Sequence, residues 1–93
     1  LRECLTYRED SSVIVCAAAV ADYRATHISD SKIKKDEGGL NLSFEKTEDI
    51  LKTMASLKKP GQCVVGFALE TENTEAYAQK KLREKGADII IAN

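Results

Sequence analysis

Residues 12–19 read Ser-Val-Ile-Val-Cys-Ala-Ala-Ala, and the reading of this run decides the fold. It is apolar without alternation and opens on three β-branched side chains. A strand with one wet face would alternate, so a continuous run predicts a strand covered on both faces, as in a parallel sheet. Two later runs share this character: Gln-Cys-Val-Val-Gly-Phe-Ala-Leu at 62–69 and Asp-Ile-Ile-Ile-Ala at 88–92. Between the first and second, Ile50, Leu51, Met54 and Leu57 recur at helical spacing. Thr47 or Glu48 can start that helix, and Lys58-Lys59-Pro60-Gly61 stops it. Between the second and third, Asn73 or Thr74 can cap a helix reaching about Lys85, with Gly86 as its C-cap. Strands alternating with helices imply βαβ units, so the expected class is α/β with a mostly parallel sheet.

The flanking segments are less regular. Residues 1–9 read as a helix end, with Leu1, Cys4 and Leu5 on one face. Residues 20–39 form a long polar stretch ending in Gly38-Gly39, and loops of that length in small domains are usually functional or mobile. Residues 40–44, Leu-Asn-Leu-Ser-Phe, alternate and predict a short edge strand.

Bulk properties exclude several classes. The 93 residues suffice for one small domain with a thin core. The net charge of −1, with both signs interspersed, argues against a nucleic-acid partner. No leader and no long apolar span is present, so no membrane partner is expected and a cytoplasmic setting fits. The three cysteines have no Cys-x-x-Cys spacing. Cys16 and Cys63 sit in apolar runs and read as small buried hydrophobes, while Cys4 reads as an exposed thiol without an activating neighbour. His27 stands alone in a polar segment and makes a poor metal ligand by itself. The chain starts mid-helix and stops just after a strand, so residues 1–93 are expected to be a partial domain of a larger protein.

Each buried run ends at polar groups: Asp22 after the alanines, Glu70 and Thr71 after Phe67-Ala68, and Asn93 after the third run. In a parallel sheet these ends share one edge, and ligands of open α/β sheets bind beyond it. The alanines at 17–19 and 21 leave backbone accessible to a flat ligand. Asp22 could hold a divalent cation, or it could be an ordinary turn aspartate. Lys32, Lys34 and Lys35 could meet phosphates, or form a solvated basic hairpin. Lys81 and Lys85 lie close to the apolar stripe of Ala78 and Leu82. They either favour the helix dipole with snorkelling stems or answer a triphosphate. The last turn of a crossover helix points away from the carboxyl edge, which counts against the second option.

Four stretches taken together resemble one family: Ala-Ala-Ala-Val-Ala-Asp-Tyr-Arg at 17–24, Lys-Ile-Lys-Lys at 32–35, Val-Gly-Phe-Ala-Leu-Glu-Thr at 65–71 and Ile-Ile-Ile-Ala-Asn at 89–93. In order and spacing they resemble bacterial phosphopantothenate–cysteine ligase. The resemblance implies a Rossmann-like three-layer domain, here without the family's N-terminal glycine-rich unit. It also implies a CTP- and Mg²⁺-dependent reaction joining 4'-phosphopantothenate to cysteine through an acyl-cytidylate, in a homodimer. The family's domain is often fused to a decarboxylase, which is where FMN would belong.

Carried over residue by residue, the resemblance has the backbone of Cys16, Ala17 and Ala18 lining the CTP site. Asp22 would contact CTP or its metal. Lys32 would bind phosphate and assist the cysteine-dependent step as the catalytic residue. Leu51, Lys52, Thr53 and Met54 would contact the nucleotide, Phe67 would pack against base or ribose, and Lys81 and Lys85 would contact CTP. The chain departs from the family at Ala25, where proline is common, and at Thr47-Glu48-Asp49, where Asn-Pro-Asp is usual. Thr47 can still cap the helix. Two other readings remain open: a non-catalytic nucleotide-binding or assembly module, and a dinucleotide-dependent redox enzyme. The second would need a Gly-x-Gly-x-x-Gly loop that is not visible.

Overall fold

The computed structural model describes residues 1–35 and 38–93. Its centre is a parallel three-stranded sheet built from the three apolar runs. These are β1 (Val13–Cys16), β4 (Cys63–Ala68) and β5 (Ile89–Ala92), in the order β1-β4-β5. Val15 pairs with Val65 and Val65 with Ile89, so the three carboxyl ends lie side by side. Helix α1 (Arg2–Tyr7) and a 3₁₀ turn (Arg8–Asp10) precede β1; α2 (Ile50–Ser56) precedes β4, and α3 (Thr74–Lys85) crosses from β4 to β5.

The core lies between the sheet and α2 and α3. Leu51, Met54, Ala55, Val64 and Ala87 are buried together, and Ile14, Cys16, Leu82 and Ile90 pack against them. Gly66, on the central strand, makes room for this contact. A Cβ there would fall 2.6 Å from Leu51 Cδ2 and 2.9 Å from Ile90 Cδ1.

The opposite sheet face departs from the expectation of a strand buried on both sides. Val13, Val15, Phe67, Ile89 and Ile91 all stay exposed, Val13 at 57%. Among the described residues, the packed helices α2 and α3 cover only the Ile14–Val64–Ile90 face. Apolar residues on both faces of a strand show that the sheet suits double covering. They do not show that both covers are present. Cys63, opposite Val13 on the open face, is half-buried rather than buried, and Cys16, on the covered face, is half-buried as well.

The long polar stretch also holds more structure than its sequence suggests. β2 (Tyr23–Ala25) pairs antiparallel with β3 (Phe44–Lys46), forming an arm with an Arg24–Glu45 ion pair at 2.8 Å across the ladder. The edge strand expected at 40–44 is shifted to 44–46, because the partner register runs Tyr23 opposite Lys46. The arm stretches the molecule: its radius of gyration is 17.4 Å, against about 12 Å for a compact chain of this length.

Helix ends follow local chemistry with two differences. Gly86 ends α3 in the left-handed region at φ 72°, as expected. Asn73 precedes α3, but its side chain makes no capping hydrogen bond. Asp49, not Thr47, caps α2: its side chain accepts the Lys52 N–H. Thr47 instead donates its hydroxyl to the Ala21 carbonyl, tying together the two sides of the arm's base just before β2 and just after β3.

Asp88 fastens the start of β5 to the core. Its Oδ2 accepts the Val64 N–H at 2.8 Å and its Oδ1 accepts from the Lys58 ammonium. The Lys58 contact, then the Val64 N–H, hold this carboxyl below its ordinary value. A carboxyl with a lowered folded pKa contributes stability that is complete above its unfolded value, about 3.9, and that is lost as pH falls through the folded value. Asp88→Asn removes that term. Thermal melts below about pH 4 should show a shallower acid loss for the variant than for the native chain. Parallel acid limbs would remove Asp88 from the account.

Candidate functional site

Beyond the carboxyl edge lies an open cavity of about 990 Å³. That is the scale of small-molecule sites. Residues 16–22 form its floor, Phe67 and Ala68 end β4 beside it, and Asn93 closes the β5 side. Asn93 is held there by backbone bonds: its N–H donates to Ala68, and its carbonyl accepts from Glu70. Residues 46–51, running from the arm into α2, make the facing wall. The position is where an open α/β sheet places ligands, because chain direction brings every strand end and the first turn of α2 to one side.

Eight of the expected residues line this cavity: Cys16, Ala17, Ala18, Asp22, Leu51, Phe67, Lys81 and Lys85. The geometric objection to the two lysines does not hold, because long stems carry their ammonium groups back toward the carboxyl edge. Lys81 Nζ donates to the Phe67 carbonyl at 2.6 Å. Lys85 Nζ donates to Asp49 Oδ2. Both side chains are half-buried along their stems, as an amphipathic lysine allows.

Four expected residues are not on the wall. Met54 is 0% exposed, so its side chain belongs to the core and does not line the cavity. Thr53 turns its hydroxyl to the Asp49 carbonyl within its own helix. Lys52 points outward and is exposed. The helical period explains all three: only the Ile50–Leu51 end of α2 faces the cavity, and the following turn rotates away. Lys32 is exposed on the segment after β2, outside the cavity lining, because the arm carries that segment off the sheet edge.

The structure adds residues that sequence reasoning passed over. Asp49 is the most informative. It is the position of Thr47-Glu48-Asp49 that matches the family's Asn-Pro-Asp, and an aspartate directly before an apolar helical repeat is itself a capping signal. Burial alone would raise the Asp49 carboxyl. The Lys85 ammonium and the Lys52 N–H outweigh it and hold the group below the usual carboxylate range. Glu48, Lys46 and Cys4 also line the cavity.

Burial pushes the Cys16 thiol up, and Cys4 and the Asp49 carboxylate add to the shift. It therefore stays protonated at neutral pH and is no nucleophile, leaving its backbone as what it offers a ligand. Among the described residues, no three His, Cys, Asp or Glu side chains converge on a common point. A divalent cation here would not sit in an all-protein cage. Asp22 is the carboxylate of the expected set that lines the cavity and could hold such an ion only together with ligands from a substrate. Among the described residues, no helix is long and apolar enough to cross a membrane.

Comparison with known proteins places the chain in a family. The family model described as DNA/pantothenate metabolism flavoprotein C-terminal domain matches residues 1–93. The coenzyme A biosynthesis bifunctional protein CoaBC of Bacillus subtilis (strain 168) is 44% identical over 89 residues, covering 96% of this chain and 22% of that protein. Its counterpart in Haemophilus influenzae is 40% identical, over 89% of this chain and 21% of that protein. A crystal structure of the C-terminal domain of CoaBC superposes with a TM-score of 0.76 at 38% identity, covering 96% of this chain and 39% of that one. The chain thus spans about a fifth of the length of the curated relatives it matches.

Proposed function

The chain belongs to the DNA/pantothenate metabolism flavoprotein C-terminal domain family, and from that premise we propose that it forms the nucleotide-binding part of a ligase. The enzyme would act in coenzyme A biosynthesis, joining 4'-phosphopantothenate to cysteine with CTP. The observation that carries this reading is the convergence of Asp22, Phe67, Lys81 and Lys85 around the small-residue end of β1.

In the proposed reaction the phosphopantothenate carboxylate attacks the α-phosphorus of CTP. Pyrophosphate leaves, and the cysteine amine then displaces CMP from the acyl-cytidylate. Each group on the wall has a use in that sequence. Ala17 and Ala18 leave backbone donors and acceptors open to the nucleotide, with Cys16 beside them. Phe67 offers a face to base or ribose. Lys81 and Lys85 would neutralise phosphate oxygens as negative charge shifts onto the leaving pyrophosphate. Asp22 would hold magnesium together with those phosphates, and bound magnesium would supply charge neutralisation. Lys32 is proposed, on the resemblance alone, to bind phosphate and assist the cysteine-dependent step; in a full-length protein Lys32→Gln should stall that step, and unchanged turnover would remove Lys32 from the mechanism.

We further propose a homodimer, supported by the exposed Tyr23, Phe44, Ile28 and Leu40 on and beside the arm. A cytoplasmic setting is proposed as well. FMN is proposed only for a fused decarboxylase domain.

Calorimetric titration with CTP and Mg²⁺ tests the reading. Saturable heat is expected, and Lys81→Ala should weaken it. A hydrogen bond to a charged group contributes about 1.5–3 kcal/mol, so the loss should be roughly ten-fold to a hundred-fold. Absence of heat with Mg²⁺ and millimolar-range CTP would remove the nucleotide reading.

A further inference from the structure

Lys85 does not meet the cavity as an uncommitted cation. Its ammonium donates to Asp49 Oδ2, while Asp49 Oδ1 accepts the Lys52 N–H at 3.0 Å. One carboxylate therefore caps α2 and offsets a lysine of the site. The two side chains remain 30% and 38% exposed, so a ligand oxygen can reach the same ammonium.

The rest of the wall repeats this balance. Among the described residues that line the cavity, the acidic side chains are Asp22, Glu48 and Asp49 and the basic ones Lys46, Lys81 and Lys85. Three against three leaves no surplus positive charge. A bare polyphosphate carries several negative charges. On engaging Lys85 it would come within a few ångströms of the Asp49 carboxylate, where like charges repel appreciably at intermediate dielectric. A polyphosphate already complexed with a divalent cation brings two positive charges with it and a partner for Asp22.

We propose that Asp49 makes the cavity selective for metal-complexed polyphosphate, its carboxylate offsetting Lys85 so that the bare polyphosphate is rejected. The proposal rests on the nucleotide reading above and assigns it a specificity-determining residue. Charge and capping can be separated, because asparagine and serine both cap helices as well as aspartate does but carry no charge.

The test is calorimetry on the native chain, Asp49→Asn and Asp49→Ser, each titrated with CTP and with inorganic triphosphate, in Mg²⁺ and in EDTA. Matched circular-dichroism melts establish that α2 is retained, and either neutral variant serves if the other melts early. The native chain should bind both probes in Mg²⁺ and much more weakly in EDTA. The neutral variants should bind in EDTA roughly ten-fold tighter than the native chain, with a smaller change in Mg²⁺. Equal native affinity in Mg²⁺ and EDTA overturns the proposal. So does an unchanged or weaker EDTA affinity in the variants, which would make Asp49 a holder of Lys85 and no more. Binding of triphosphate without CTP removes the nucleotide reading, and the triphosphate arm then decides the role of Asp49 by the same criterion. No binding of either probe by any of the three proteins overturns both.

Discussion

Met54→Ala should lower the unfolding free energy by about 2–5 kcal/mol. The side chain is 0% exposed and sits among Leu51, Ala55, Val64 and Ala87. Truncation forfeits its transfer free energy and leaves a void that the neighbours close only in part. Two features put the loss at the upper part of that range. The core is small, with seven buried apolar residues among those described. And α2 has seven residues, far too few to be helical in water by itself, so this buried face is what holds it. Small domains have on the order of 5–15 kcal/mol in total, so the variant should be partly unfolded well below the native melting temperature. Urea unfolding measures the change. Met54→Leu, close in volume, should cost less than about 1.5 kcal/mol. Equal losses for the two variants would contradict a packing origin. Because Leu51 and Asp49 belong to the same helix, nucleotide binding should fall with the folded fraction.

Gly66→Val is expected to be the second most damaging change, for the opposite reason. Even a single methyl at Gly66 would press Leu51 Cδ2 at 2.6 Å and Ile90 Cδ1 at 2.9 Å. Those are ends of flexible side chains, so Gly66→Ala can be met by rotamer changes at about 1–3 kcal/mol. Valine adds two further methyl groups on the central strand, and the helix itself must then move. The expected loss is at or above the top of that range. The direction of movement matters as much as its cost. Leu51 both touches the Gly66 position and lines the cavity, so crowding from below drives it toward the cavity. Gly66→Ala should therefore weaken nucleotide affinity under conditions where the variant is fully folded. Urea midpoints and CTP calorimetry on the same samples separate the two effects. Unchanged affinity in a folded Gly66→Ala would show that Leu51 rotates away from the cavity instead.

Much of the fold and part of the site were legible without coordinates. The apolar runs became β1, β4 and β5, and the spacing of Ile50, Leu51 and Met54 became α2. Gly86 ended α3 as its lack of a Cβ allows. What misled were features whose meaning depends on a partner. β2 is three residues long, and none of its residues is buried, so no hydrophobic period marks it. It exists because β3 is there to pair with it. Thr47 and Asp49 are both competent caps; the Ala21 carbonyl claims the first, and the second is left for α2. Of the residues expected to contact the nucleotide at 51–54, Leu51 alone lines the cavity, because the helical period turns the side chains of the next three away from it.

From its residues alone, this chain is an α/β unit with parallel strands whose polar ends share an edge. Period, β-branching and the glycine and proline stops are local properties, and they survive without knowledge of neighbours. Only the tertiary structure decided which sheet face is covered and how the charges near the strand ends are paired. Lys85 and Asp49 are 36 residues apart, and Lys81 and the Phe67 carbonyl 14 apart. Such pairs depend on how α3 lies against α2 and on how far a lysine stem reaches, and no local pattern records either. The same crossing of helices turned two awkward lysines into part of a cavity wall, and made one inconspicuous aspartate the group that balances it.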